Sequence, residues 1–355
     1  MKLHKLILTA IAGSLLFVSC SDDDNKDVPS GAYDNGVLIL NQGKFLGGNS
    51  SVSFLSDAMT IENNIFATVN SGAVLGDTGQ DMGFNGDLAY IVLNVSNKIE
   101  IVNRYTFAKV ATIAAGLTNP RYIAFENGKA YVTCWGDGTV ATDDYVAVID
   151  LSTNAVSSTI AVAEGPEKII EENGKLYVAH AGGYNFGNTV TVIATSNNTV
   201  ATTITVGDSP NSLEVENGNL YVMSGGLPSW TGGETPGQLD VISLGTNAVT
   251  KTIDFPTTDH PSNLVIEDNN IFYTVGNEAY TMAITSTTLP SASLFNTEDQ
   301  EAFSLYAFAV EDGHIYVGDA GDFASDGKVF VYSLSGTLQN TFSVGVSPAG
   351  FYFND

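Results

Sequence analysis

Residues 120–135 read PRYIAFENGKAYVTCW. Two short, largely apolar runs flank Glu-Asn-Gly. Asn-Gly between such runs is a strong hairpin signal, because both turn positions require a positive φ that Asn and Gly adopt readily. The phrase returns as PEKIIEENGKLYVAH from Pro166, PNSLEVENGNLYVMS from Pro210, PSNLVIEDNNIFYTV from Pro261 and LYAFAVEDGHIYVGD from Leu305. GQDMGFNGDLAYIVL from Gly79 aligns without a gap, with its glycine, Gly86, one place early.

Two further strands follow each hairpin. After Pro120 they are YVAVID (145–150) and AVSSTI (155–160), joined by Leu-Ser-Thr-Asn; 190–193 with 200–204 and 239–242 with 249–253 repeat them. Each unit is thus a four-stranded meander with the period of a propeller blade. The turn residues Asp34, Asn85, Glu126, Glu172, Glu216, Glu267 and Glu311 stand 41 to 51 residues apart and mark seven units. No strand precedes Asp34, but residues 348–353 (PAGFYF) have the form of the missing one, and the Asn354 that follows them stands 43 residues after Glu311. The expectation is an all-β, seven-bladed β-propeller over residues 32–355, its first blade closed by the C-terminal strand, which removes an open sheet edge.

Two columns of the repeat predict the core. Met82, Ile123, Ile169, Leu213, Leu264, Phe308 and Phe351 stand three places after the proline position. Ile39, Tyr90, Tyr131, Tyr177, Tyr221, Phe272 and Tyr316 stand five places after the turn acid. Aromatic residues repeated in register are expected between blades rather than against a ligand.

With Leu-Tyr-Val on the second strand, Val-x-Val-Ile-Asp on the third and Gly-x-x-Pro between blades, the chain resembles the YVTN-repeat, or YncE-like, propellers over residues 32–355. Propellers host many activities, so the resemblance speaks for fold. Lipoproteins of this kind in Bacteroidota include surface proteins that capture cobalamin above a TonB-dependent transporter. The resemblance therefore implies a corrinoid as transported ligand and such a transporter as partner.

Residues 1–19 read as a signal peptide: Lys2 and Lys5 precede a short apolar run, too short for a spanning helix. Phe17-Val18-Ser19-Cys20 resembles a bacterial lipobox, which makes Cys20 the lipidation site. Residues 20–31 form an acidic, flexible tether resembling a surface-export signal. The expected location is the outer membrane, lipid-anchored and exposed at the cell surface, with the lipid as the membrane contact. A formal charge of −26 argues against nucleic acid as a partner, since neutralising phosphates requires clustered Lys and Arg. Cys134 has no second mature cysteine but Cys20, so no intramolecular disulfide is expected.

In a meander the loops alternate between two faces. The second-to-third-strand loops (41–51, 135–144, 181–188, 225–238 and 320–327) share one face with the inter-blade segments (70–79, 116–121 and 257–262). They are the long loops, where function concentrates over a rigid scaffold. The candidate ligand-binding residues are Phe45, Trp135, Tyr184, Phe186, Trp230 and Phe323, with Arg121 and His260 beside them. The aromatics either present a contact surface or fold over the blade ends. Arg121 either holds a ligand phosphate or carboxylate, or pairs with a neighbour such as Glu167. His180, His260 and His314 lack paired-ligand spacing, so no metal site is assigned. Asp319, Asp322 and Asp326 are calcium-like but miss the EF-hand pattern, and a solvated acidic loop fits them better.

No H-E-x-x-H, G-x-S-x-G or phosphate-binding glycine loop occurs. The reading is a non-enzymatic capture protein. Its rivals are a propeller enzyme of the lactonase or lyase type and a protein-interaction or adhesion platform.

Overall fold

The computed structural model describes residues 30–354. The expected signal peptide, Cys20 and nearly all of the tether lie outside the described residues. The chain forms seven four-stranded antiparallel sheets, each a meander running outward from a central channel. In blade three the order is Pro120–Glu126, Lys129–Cys134, Tyr145–Asp150 and Ala155–Ala161.

The inner turns follow their residues. Asn127 and Gly128 have φ of 48° and 73°, the paired positive values of a type I′ hairpin. Blade six makes the same turn with Asp268 and Asn269, at 48° and 60°. In blade two only the first turn residue, Gly86, has positive φ, as a type II′ turn demands. The glycine that stands one place early therefore changes the turn type and keeps the two-residue loop.

The core lies between blades. The column from Ile39 to Tyr316 is buried throughout, with no member more than 6% exposed. Tyr131 packs in one cluster with Ile169 and Leu176 of the next blade, and Tyr90 meets Phe125 of its neighbour at 5.0 Å. Each large side chain thus bonds two sheets together, contributing on the order of 2–3 kcal/mol by burial. The second predicted column is buried as well, apart from the half-buried Phe351.

Blade one closes as expected. Pro348–Phe353 pairs antiparallel with Gly36–Asn41, which continues to Ser51–Ser56 and Ile61–Glu62. Asn354, fully buried, seals the joint. Its carbonyl accepts from the Asn35 N–H (2.9 Å) and its own N–H donates to the Gly36 carbonyl (2.8 Å). Its side-chain amide donates to the carbonyls of Tyr33 and Arg104, while its Oδ1 accepts from Arg104 Nε at 2.5 Å.

Two local features depart from the plain meander. The outer strands of blades one and six, Ile61–Glu62 and Phe295–Asn296, are two residues long. After the first of them comes a short helix, Ile65–Val69, where only an inter-blade loop is expected. Its Ile65 and Phe66 are buried with Tyr33 and Phe54, so the helix supplies apolar cover that the short strand cannot.

Candidate functional site

The innermost strands shape the channel mouth. Each begins with a break in register against its neighbour, as between Pro120 and Ile123, Pro166 and Ile169, Pro210 and Ser212, and Ser262 and Val265. Blades two, seven and one show it at Gly79/Asp81, Leu305/Ala307 and opposite Leu40/Asn41. A bulge of this kind re-aims side chains. The residues it carries are polar in most blades: Gln80-Asp81, Arg121-Tyr122, Glu167-Lys168, Asn211-Ser212 and Ser262-Asn263, with Tyr306 in blade seven. They surround a channel of about 600 Å³ whose wall includes Gln42, Gln80, Arg121, Tyr122, Lys168, Asn211, Glu214, Asn263 and Tyr306. That volume is typical of small-molecule sites.

Most of the mouth is cross-braced between blades. Arg121 Nη2 lies 3.0 Å from Glu167 Oε1, and Nε donates to both carboxylate oxygens at 3.1 and 3.2 Å. Gln80 Nε2 donates to Tyr122 Oη (3.1 Å), and Tyr306 Oη donates to Gln42 Oε1 (2.7 Å). Asp81 accepts from the Ile123 N–H (2.9 Å) and from Tyr352 Oη (3.1 Å). Burial pushes the Asp81 carboxyl up, against the pull of Lys168 and these donors. Lys168 Nζ lies 4.2 Å from the Tyr122 ring centre. Burial works against its charge, but Tyr122, Asp81, Glu167 and Glu214 outweigh it and hold the ammonium protonated. Glu214, deeper in the channel, is raised by burial to about 7, with Lys168 opposing the rise.

An aromatic arc leads away from this mouth, starting at Arg121. The Arg121 guanidinium sits 4.2 Å from the centre of the Trp135 ring, and Trp135 Nε1 donates to the Pro166 carbonyl (3.2 Å). Tyr184 meets Trp135 edge-on at 5.9 Å. Two residues along the same loop, Phe186 meets Trp230 at 5.6 Å. The series Arg121, Trp135, Tyr184, Phe186, Trp230 thus runs across blades three to five. Tyr184 and Trp230 are more than three-quarters exposed. Across the channel, Tyr306 meets Phe323 edge-on at 5.3 Å, joining wall to rim.

The remaining sequence candidates fall nearby or apart. His260 Nδ1 bonds the Gly225 carbonyl (2.7 Å) and its Nε2 lies 3.4 Å from Glu234, so it braces the loop that carries Trp230. Phe45 projects from blade one's loop, 66% exposed and outside the ring pairs. Arg121 makes the Glu167 ion pair, the second of its two sequence readings. His180 is buried, bonds Thr191 Oγ1 at 2.9 Å and is depressed by burial to about 4, which keeps the ring neutral. Asp319 Oδ1 accepts from the N–H groups of Phe303, Ser304 and Gly321, and Asp322 Oδ1 from those of Ala324 and Ser325. These carboxylates shape their loop, and no group of three or more His, Cys, Asp or Glu suited to a metal occurs among the described residues.

The channel residues Gln80, Tyr122, Lys168, Asn211, Glu214, Asn263 and Tyr306 escape the sequence reading. The signal for several of them is present one and two places after the proline position, where the repeats stop being apolar.

A family model described as "Domain of unknown function (DUF5074)" matches residues 35–308. No curated protein matches the chain. Among solved structures, a quinonprotein alcohol dehydrogenase-like protein from Bacteroides thetaiotaomicron aligns with a TM-score of 0.68 at 14% identity, covering 91% of this chain and 79% of that one. A functionally unknown protein from Desulfotomaculum acetoxidans gives 0.66 at 13% identity, covering 90% and 98%. Hydrazine synthase from Kuenenia stuttgartiensis gives 0.61 at 17%, covering 77% and 88%. These likenesses are of fold alone. The family match runs from the turn that opens blade one to the inner strand of blade seven, and by it the chain belongs to the DUF5074 family.

Proposed function

We propose that this protein is a lipid-anchored, surface-exposed binding protein of the outer membrane. It captures an amphipathic ligand on its long-loop face and passes it to a TonB-dependent transporter. The observation that carries the reading is the aromatic arc from Trp135 to Trp230, joined through Arg121 to a polar channel mouth. Rigid aromatics with exposed faces lose little entropy on binding and suit a flat, partly apolar partner. A corrinoid has that shape, with a broad macrocycle for the arc and a polar periphery for the mouth. Arg121 serves this surface by supporting Trp135, since its own charge is met by Glu167. Cys20 is the proposed anchor and the acidic segment after it the tether.

The test is to mix purified protein with cyanocobalamin, desalt it, and measure the retained absorbance and the tryptophan emission. Trp135 and Trp230 are the only tryptophans, so quenching reports on the arc. The wild type is expected to retain the ligand, and Trp230→Ala to bind it about tenfold or more weakly, the loss of roughly 1.4 kcal/mol or more. Tight binding with unchanged affinity in Trp230→Ala would move the site off the arc. No retention would remove the corrinoid.

A further inference from the structure

The channel wall contains two ionisable side chains of opposite sign, Lys168 and Glu214, that feel each other's charge without meeting in an ion pair. Among the described residues, Lys168 on blade four makes no hydrogen bond or ion pair, and its Nζ lies over the face of Tyr122. Glu214 on blade five makes none either. Their charged neighbours are satisfied: Arg121 with Glu167, and Asp81 with the Ile123 N–H and Tyr352. An ammonium with three unused donors and a carboxyl without a donor, both facing the channel, are free to bind a ligand that enters it. They lie on adjacent inner strands and in one cavity, yet more than ion-pair distance apart.

Their placement along the strands explains the gap. Lys168 stands two places after Pro166, near the long-loop mouth, and Glu214 four places after Pro210. Two positions along a strand amount to about 7 Å. A small molecule with an anionic and a cationic group can bridge that interval with a hydrogen bond at each end. Below, the wall offers the apolar side chains Leu264, Ile266, Val310 and Phe351, beside the carboxylates Glu267 and Glu311.

We propose that the channel binds a small zwitterion of the α-amino-acid class, its carboxylate on Lys168, its ammonium on Glu214, and an aliphatic side chain toward the apolar wall. This site is separate from the aromatic arc and does not depend on what the arc captures.

The test is equilibrium dialysis of the full mature chain against an equimolar mixture of the proteinogenic amino acids, followed by amino-acid analysis. One or a few aliphatic members should be retained, at about one molecule per chain. The des-amino acid and the decarboxylated amine of the retained species should each bind about tenfold or more weakly. Lys168→Met and Glu214→Gln should each lose about tenfold for the zwitterion. If Lys168→Met does not fold, Lys168→Arg keeps the charge, misplaces it in the confined channel, and should show the same loss. Retention of no amino acid overturns the proposal. So does binding of either single-charge analogue as tightly as the zwitterion, or wild-type affinity in a folded Lys168 or Glu214 variant.

Discussion

Glu214 gives the channel a measurable signature in stability. Its carboxyl titrates near 7 in the folded chain against an ordinary 4.5. Between those values the folded protein binds the extra proton, so this group's contribution falls as pH rises through that window and stays low above it. Glu214→Gln should therefore melt higher than the wild type at about pH 8, by about 1–2 kcal/mol of stability, and almost equally at about pH 4. The magnitude is below the full linkage value because the carboxyl faces an open channel. Equal melting of the two proteins at both pH values would show that Glu214 is not held protonated. His180 acts in the opposite direction, because its ring is held neutral by burial and opposes protonation as pH falls from 6.5 toward 4. Sequence reading reaches Arg121 and passes over Lys168 and Glu214. The reason lies in what repeats. Every blade faces the same kind of neighbour, so the inter-blade column is apolar and mostly aromatic seven times over. The channel is a single space to which each blade contributes a different wall, so Gln80, Arg121, Glu167, Asn211 and Ser262 share a position while their side chains range over amide, cation, carboxylate and hydroxyl.

At the scale of loops and strands, the two tryptophans separate support from contact. Trp135 stacks on Arg121 and donates to Pro166, whereas Trp230 sits on a single 3-10 turn, Ser229–Thr231, and is 77% exposed. Trp135→Ala should cost about 1–3 kcal/mol of stability, because a cation–π contact, a hydrogen bond and ring packing go together. Trp230→Ala should change the melting temperature little. Equal melting of the two variants in a thermal scan would contradict this division. The position of these loops on one face is legible in the strand alternation alone. Their pairing across blades is not, because Trp135 with Tyr184 and Phe186 with Trp230 meet only once the ring has set the angle between sheets. The helix Ile65–Val69 is equally hidden: five residues are too few to show a helical period.

For the whole molecule, closure depends on residues more than three hundred positions apart. Deleting residues 347–355 should expose the edge of Gly36–Asn41 and an apolar groove, producing aggregation or a large fall in melting temperature. A truncated chain that melts like the full one would refute closure. Asn354→Ala tests the joint alone. It removes the side-chain bonds to Tyr33 and Arg104 and should cost about 2–4 kcal/mol, from about 1 kcal/mol for each buried bond and more for the bond to a charged group. The same joint sets an order of events during synthesis. Six blades draw their strands from one continuous stretch and can pair as they emerge, but blade one waits with an unpaired inner edge until Asn354 has left the ribosome. At about 5–20 residues per second that delay lasts on the order of tens of seconds. The ring is a lock whose key is made last.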